Sequence, residues 1–177
     1  MTRSITLFLV CCSLVMSTAP KHAFGKKKGL MESNGTIRVG QEAPLIAAID
    51  LKGQDFSLDS LKGRPVFVDF GSVLCEACAK MVQEMNRLKK KFAATDLEIV
   101  MIVDGAMPVK TTEDFFKRLE SSFTIVRDAN WSNFETYGVT VVPFKVLIDR
   151  EGKVRNIHLG FDPKLDKLMD FKGVVGR

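Results

Sequence analysis

The sequence predicts one α/β domain: a central mixed β-sheet flanked by helices, with a β-hairpin extension on its N-terminal side. Three observations carry this reading. Two continuous apolar runs, Pro65–Phe70 and Leu97–Val103, have the length and Val/Ile content of strands buried on both faces. A segment of helical periodicity follows each run, the alternation that builds a parallel sheet centre. A later pair of apolar runs, Pro143–Ile148 and Val154–Leu159, flanks the turn Asp149-Arg150-Glu151-Gly152 and adds antiparallel strands at one side.

The elements follow in chain order. Residues 1–25 read as a secretion signal: Thr2-Arg3 gives a basic start, Ile5 to Met16 is apolar, and Ala23 and Gly25 are small residues before a cut preceding Lys26. The apolar stretch is shorter than the roughly 20 residues a membrane span needs, so an uncleaved anchor, and with it a membrane tether, is the alternative. Lys21 and Lys26-Lys27-Lys28 after the run oppose simple export. Residues 26–38 form a polar, flexible leader, and 39–177 form the domain. Gly40 to Pro44 is an opening turn. Leu45–Leu51 and Phe56–Leu58 form a hairpin around Lys52-Gly53-Gln54, and Ser60 to Gly63 is a short helical turn. From Cys75 to about Ala94 a helix aligns Cys78, Met81, Val82, Met85, Leu88 and Phe92 on one face, a stripe suited to core packing. Thr111 caps a helix running to Glu120, with Glu113 and Asp114 in its first turn. Phe123–Arg127 is a short strand, Trp131–Tyr137 a helical turn ended by Gly138, and Pro163–Phe171 a last helix.

Composition narrows the chemistry. The 177 residues carry 26 Lys+Arg against 21 Asp+Glu, mostly interspersed, which does not favour a nucleic-acid partner. Of the four cysteines, Cys11 and Cys12 fall in the signal. The remaining Cys75-Glu76-Ala77-Cys78 closes too small a loop to staple a fold. His158 is the one histidine beyond the signal, so a zinc site lacks ligands. No metal and no cofactor is expected beyond the cysteines themselves.

C-x-x-C between a buried strand and a helix is a redox-active arrangement. Sulfurs three residues apart on a first helical turn can bond to each other with little backbone movement. The helix N-terminus favours a thiolate on Cys75, the attacking form, and Cys78 one turn in is the resolving thiol. Asp69, between Val68 and Phe70, is costly to bury ionised, so its pKa is expected to rise. Strand alternation lets it point under the helix start, where it can take the Cys78 proton directly or through water. Val142-Pro143, at a strand start, is a candidate cis peptide.

Together these residues resemble the thioredoxin-like fold, and more closely the secreted TlpA/ResA-type thiol-disulfide oxidoreductases. The likeness spans Val39 to Gly160. It includes Val39–Pro44, Ser60–Pro65, Cys75–Cys78, Tyr137-Gly138-Val139, Val142-Pro143, Leu147–Gly152 and Gly160. It implies a cis Pro143 beside the dithiol, with Val142 pairing with an extended substrate segment and Leu74 lining the substrate side. It also implies protein thiols and disulfides as partners, apocytochrome c among them, a membrane or soluble thiol donor, and a bacterial periplasmic location. Leu74 stands where the family usually has Trp, Gly71 where it has an aromatic, Met81 where it often has an acid, and Gln83 where it has Pro. Asp69 matches the buried acid of thioredoxin, whose accompanying Lys has no counterpart in Ile99-Val100-Met101. Glu76 disfavours the Cys75 thiolate, which points to a reductant or exchanger rather than a strong oxidant.

Three other readings stay open. A peroxiredoxin-like peroxidase would use Ser72 three residues before Cys75, although Val68 stands where its Pro belongs. A copper-delivery protein would use His158 with a dithiol one residue longer. A catalytically degenerate module would bind partners without turnover.

Overall fold

The computed structural model describes residues 37–176. The signal, most of the leader, and Cys11 and Cys12 lie outside the described residues. Seven strands form one sheet in the order β2-β1-β5-β4-β3-β6-β7. These are β1 (Ala47–Asp50), β2 (Asp55–Ser57), β3 (Val66–Gly71), β4 (Glu98–Asp104), β5 (Thr124–Asp128), β6 (Phe144–Ile148) and β7 (Val154–Leu159). The centre β3-β4-β5 is parallel. The hairpin β1-β2 joins antiparallel to β5, and β6-β7 joins antiparallel to β3. This is the mixed sheet the sequence predicts, N-terminal hairpin included.

The helices are α1 (Glu76–Lys91), α2 (Val109–Arg118), α3 (Ser132–Thr136), α4 (Leu165–Leu168) and α5 (Phe171–Val175). One apolar cluster joins Phe67, Met101 and Leu147 of the sheet to Cys78, Met81, Val82, Met85 and Leu88 of α1. Phe116 of α2, Leu165 of α4, and Phe171 and Val174 of α5 complete that layer. On the other face Val66, Val68 and Phe70 meet Phe134 of α3 and Tyr137. Phe67 and Phe70, three apart on β3, thus belong to opposite cores, as period-two alternation requires. Ile37, which the sequence reading assigns to the leader, is buried in the second core.

Two helices depart from expectation. Pro108, not Thr111, is the N-cap of α2. The Thr112 amide and hydroxyl both donate to the Pro108 carbonyl, so helical bonding starts before Thr111. The single C-terminal helix is two short ones. The chain extends at Met169 (φ −109°, ψ 137°) and restarts where the Asp170 side chain accepts the Gly173 amide at 2.9 Å. Arg87 and Lys91 of α1 hold Asp166 of α4, which fastens this segment over α1.

Candidate active site

Strand β3 ends at Gly71, and a short loop delivers Cys75 to the N-cap of α1. The Cys75 backbone is extended (φ −104°, ψ 115°), and its Sγ accepts the Cys78 amide at 3.2 Å. The sulfur thus sits on the unpaired amides of a sixteen-residue helix, where the dipole favours negative charge. The last turn of the helix carries Lys89, Lys90 and Lys91 at the complementary end. Both cysteines are free thiols; Cys75 is half-buried and Cys78 fully buried. Burial pushes the Cys78 thiol pKa up, and its hydrogen bond with Cys75 and the nearby Asp69 charge add to the rise. The two sulfurs are therefore unequal: one faces solvent, the other waits beneath it as a thiol.

Asp69 is fully buried on β3, on the face that carries Phe67. Gly71 shares that face, and a Cβ there would lie 3.5 Å from Cys78 Sγ and 2.5 Å from Met101 Cε. A side chain at this position would have to displace the flexible end of Met101 and would lie against Cys78. Neither Asp69 carboxylate oxygen has a hydrogen-bond partner among the described residues. Burial raises its pKa from 3.8 to about 7, and the charge of Lys145 pulls the other way.

Lys145 is the residue that the sequence reading missed. It lies on β6 directly opposite Asp69 and is completely buried. The cation absent from Ile99-Val100-Met101 therefore comes from the antiparallel neighbour of β3. Its Nζ donates to the Pro143 carbonyl at 3.3 Å and also to the Gly160 carbonyl. Burial lowers the Lys145 pKa, and Asp69 and Cys78 oppose that. The available signal was a lone Lys in one apolar run mirroring a lone Asp in another.

The other expected site residues gather around Cys75. The Val142–Pro143 peptide is cis, and the Val142 carbonyl oxygen lies 4.0 Å from Cys75 Sγ. Leu74, next to Cys75, is 72% exposed, and Val141 is exposed as well. Glu76 points into solvent and pairs with Lys80 at 2.7 Å, which lowers its pKa. His158 sits on β7 opposite Lys145. Partial burial and the Lys145 charge lower its pKa. Among the described residues no group of three His, Cys, Asp or Glu side chains is arranged to hold a metal.

A thioredoxin-like sheet with a thiol pair at the N-terminus of its first helix defines a class, and comparison with known proteins agrees. Residues 39–157 match the AhpC/TSA family. The thiol-disulfide oxidoreductase ResA of Bacillus cereus is 30% identical over 154 residues, 87% of each chain. A solved structure from Chlorobium tepidum, provisionally designated a thiol:disulfide interchange protein DsbE, is 28% identical with a TM-score of 0.68. It covers 75% of this chain and 92% of that one. The thioredoxin domain of a thiol-disulfide oxidoreductase from Bacteroides vulgatus is 26% identical with a TM-score of 0.67, covering 76% and 99%. The chain belongs to the AhpC/TSA family, on its ResA-type thiol-disulfide oxidoreductase branch.

Proposed function

We propose that the protein reduces or exchanges disulfides in exported proteins, using Cys75 and Cys78 as its only redox couple and no further cofactor. The observation that carries this is the pairing of a half-buried Cys75 sulfur at the N-cap of α1 with a buried Cys78 thiol one turn below. The Cys75 thiolate attacks a substrate disulfide, forms a mixed disulfide and displaces one substrate thiolate. Cys78 gives its proton to the Asp69 carboxylate and attacks the Cys75 sulfur. The second substrate thiolate leaves and takes the proton held by Asp69, and the first takes one from solvent. The substrate gains two electrons and two protons, and the protein is left with a Cys75–Cys78 disulfide. A thiol donor, soluble or membrane-bound, restores the dithiol.

The buried, pKa-raised Asp69 on the Cys78 side supports its role as the base for the second step. The exposed Leu74 and Val141, with the Val142 backbone beside the sulfur, support docking of an extended apolar segment there. The signal-like N-terminus supports action outside the cytoplasm, with periplasmic proteins such as apocytochrome c as the substrate class. Among the described residues no helix is long and apolar enough to cross a membrane.

A redox titration against glutathione and dithiothreitol, with thiol trapping, tests the proposal. A reversible two-electron transition lost in Cys75→Ser is expected, with a potential of about −200 mV or below for a reductant or exchanger. A potential near about −120 mV would reverse the direction of electron flow. If no Cys75–Cys78 disulfide forms, the proposal fails. Cys75-dependent peroxide consumption would instead move the protein to the peroxidase side of its family.

A further inference from the structure

The dithiol occupies one end of the sheet, and a cluster of cations occupies the other. β3, β4 and β5 are parallel, so α1 and α2 between them run back toward the strand starts. α1 has 16 residues and, at 1.5 Å rise, is about 24 Å long. Its last turn, Lys89-Lys90-Lys91, therefore lies far from Cys75. The end of α2 is fastened to the flank of α1. The side-chain amides of Gln83 and Asn86 donate to the Leu119 carbonyl, and Asn86 Oδ1 accepts the Ser122 amide. Lys89 and Lys90 follow Asn86 by three and four residues, so they share that flank one turn further on. Lys117 and Arg118 directly precede Leu119.

Lys90, Lys117 and Arg118 are exposed, and Lys89 is half-buried. Lys91 is paired with Asp166, but none of these four enters an ion pair among the described residues. Glu120 is the exposed acid that stands with them, while nearby Asp96 is held by Arg150 and Asp114 by Lys110. The roughly half negative charge of a helix C-terminus does not account for so many cations. Lys89 and Lys90 also line a cavity of about 250 Å³ with apolar walls from Phe92, Leu97 and Ile99. No acid among the described residues lines it. Its volume would hold about eight waters, enough for a phosphodiester and the first carbons on either side.

We propose that this end of the molecule is a docking surface for an anionic phospholipid membrane. A lipid phosphodiester seats against Lys89 and Lys90 with its flanking carbons on the apolar wall, and Lys117 and Arg118 meet neighbouring headgroups. A free phosphate would engage the two lysines alone. A bilayer surface engages all four cations and the apolar wall together, which favours it as the occupant. Docking by this end turns Cys75 away from the lipid and toward the aqueous side. It goes beyond the dithiol-exchange reading and does not depend on it.

Hydrogen exchange of the full chain, read by mass spectrometry, tests this with vesicles of phosphatidylcholine alone and of phosphatidylcholine mixed with phosphatidylglycerol. The readout is local because the apolar N-terminal stretch would itself hold the chain on either vesicle. Residues 89–97 and 117–120 should gain protection on the anionic vesicles only, and lose it at high salt. In the double variant Lys89→Gln, Lys90→Gln the lipid concentration that gives half of this protection should rise about 25-fold, roughly fivefold per lysine. Lys89→Arg, Lys90→Arg keeps both charges and should keep the binding. Gln and Arg both favour helix, and an unchanged exchange pattern without vesicles confirms the fold of each variant. Alkylation of Cys75 should run at the same rate with and without vesicles.

Equal protection on the two vesicle types would overturn the proposal, as would protection on anionic vesicles that the double Gln variant retains in full. Equal protection by free glycerol phosphate or by a single-stranded oligonucleotide, at matched phosphate concentration, would assign the surface to a soluble phosphate or a nucleic acid instead. Slower alkylation of Cys75 on anionic vesicles would show that the dithiol end faces the lipid, which also defeats it.

Discussion

Two buried aspartates, Asp69 and Asp128, stand on neighbouring parts of one sheet and are treated in opposite ways. Asp128 ends β5 and is 2% exposed. Its Oδ2 accepts the amides of Asn133 at 2.8 Å and Phe134 at 3.0 Å. Its Oδ1 accepts the Asn133 side-chain amide at 3.0 Å and the Ser132 hydroxyl at 3.4 Å. The carboxylate is thereby built into the start of α3. Asn133 carries the connection on to both the carbonyl and the amide of Ala47 in β1. Asp69 is at least as deep, and neither of its carboxylate oxygens has a hydrogen-bond partner among the described residues. A carboxylate satisfied by four donors is a structural joint. A buried one left without donors near Cys78 suits the proton acceptor of the proposed mechanism.

The largest test of that contrast is Asp128→Ala. It leaves two backbone amides and the Asn133 amide without their acceptor, and a loss of about 5 kcal/mol in denaturant unfolding is expected. The dithiol potential of the protein that still folds should not change. A shift in potential would break the comparison.

The next effect is on the pH dependence of stability. Asp69 has a folded-state pKa raised from 3.8 to about 7. A raised acid contributes stability that is fully present below its unfolded pKa and is lost as pH rises through the folded one. The window therefore runs from about pH 4 to 7, and the loss is on the order of 4 kcal/mol. Asp69→Asn should flatten this slope, so the variant gains on the parent as pH rises. Parallel stability curves for the two proteins would show that Asp69 does not titrate in this window.

A smaller effect, in rate rather than stability, comes from the same substitution. Asp69→Asn should slow mixed-disulfide resolution at neutral pH about a hundredfold while leaving the first attack by Cys75 unchanged. Equal rates would remove Asp69 from the mechanism. The smallest expected change is Tyr137→Phe, which removes the 2.6 Å bond from the Tyr137 hydroxyl to the Pro44 carbonyl. It should cost about 1 kcal/mol and leave resolution untouched, because it acts on the face that Asp128 organises.

The sequence made some of this visible and hid the rest for physical reasons. β3, β4 and α1 were readable because long apolar runs and a clean helical stripe are local signals. Cys75, Cys78 and Asp69 stand out in the sequence because each is anomalous in its own segment. Lys145 looked like an interruption in a buried strand, and its meaning depends on the β3–β6 register, which pairs residues 76 positions apart. The break at Met169 was hidden because Leu165, Leu168, Met169 and Phe171 continue an apolar pattern across it, while the capping Asp170 resembles any helical acid. The start of α2 was misplaced because a hydroxyl at Thr111 is the stronger local cap signal, whereas Thr112 bonds back to Pro108.

The chain carries one tryptophan, and its position has an optical consequence. Trp131 is the left-handed N-cap residue of α3 (φ 63°), 45% exposed, with its ring 5.1 Å from Phe134. Leu74 occupies the place beside Cys75 where an indole would have sensed the sulfurs. Intrinsic fluorescence therefore reads the integrity of the Asp128 joint and not the oxidation state of the thiols. Emission should stay level as the protein is oxidised and change when α3 comes apart, so one cuvette separates folding from electron transfer.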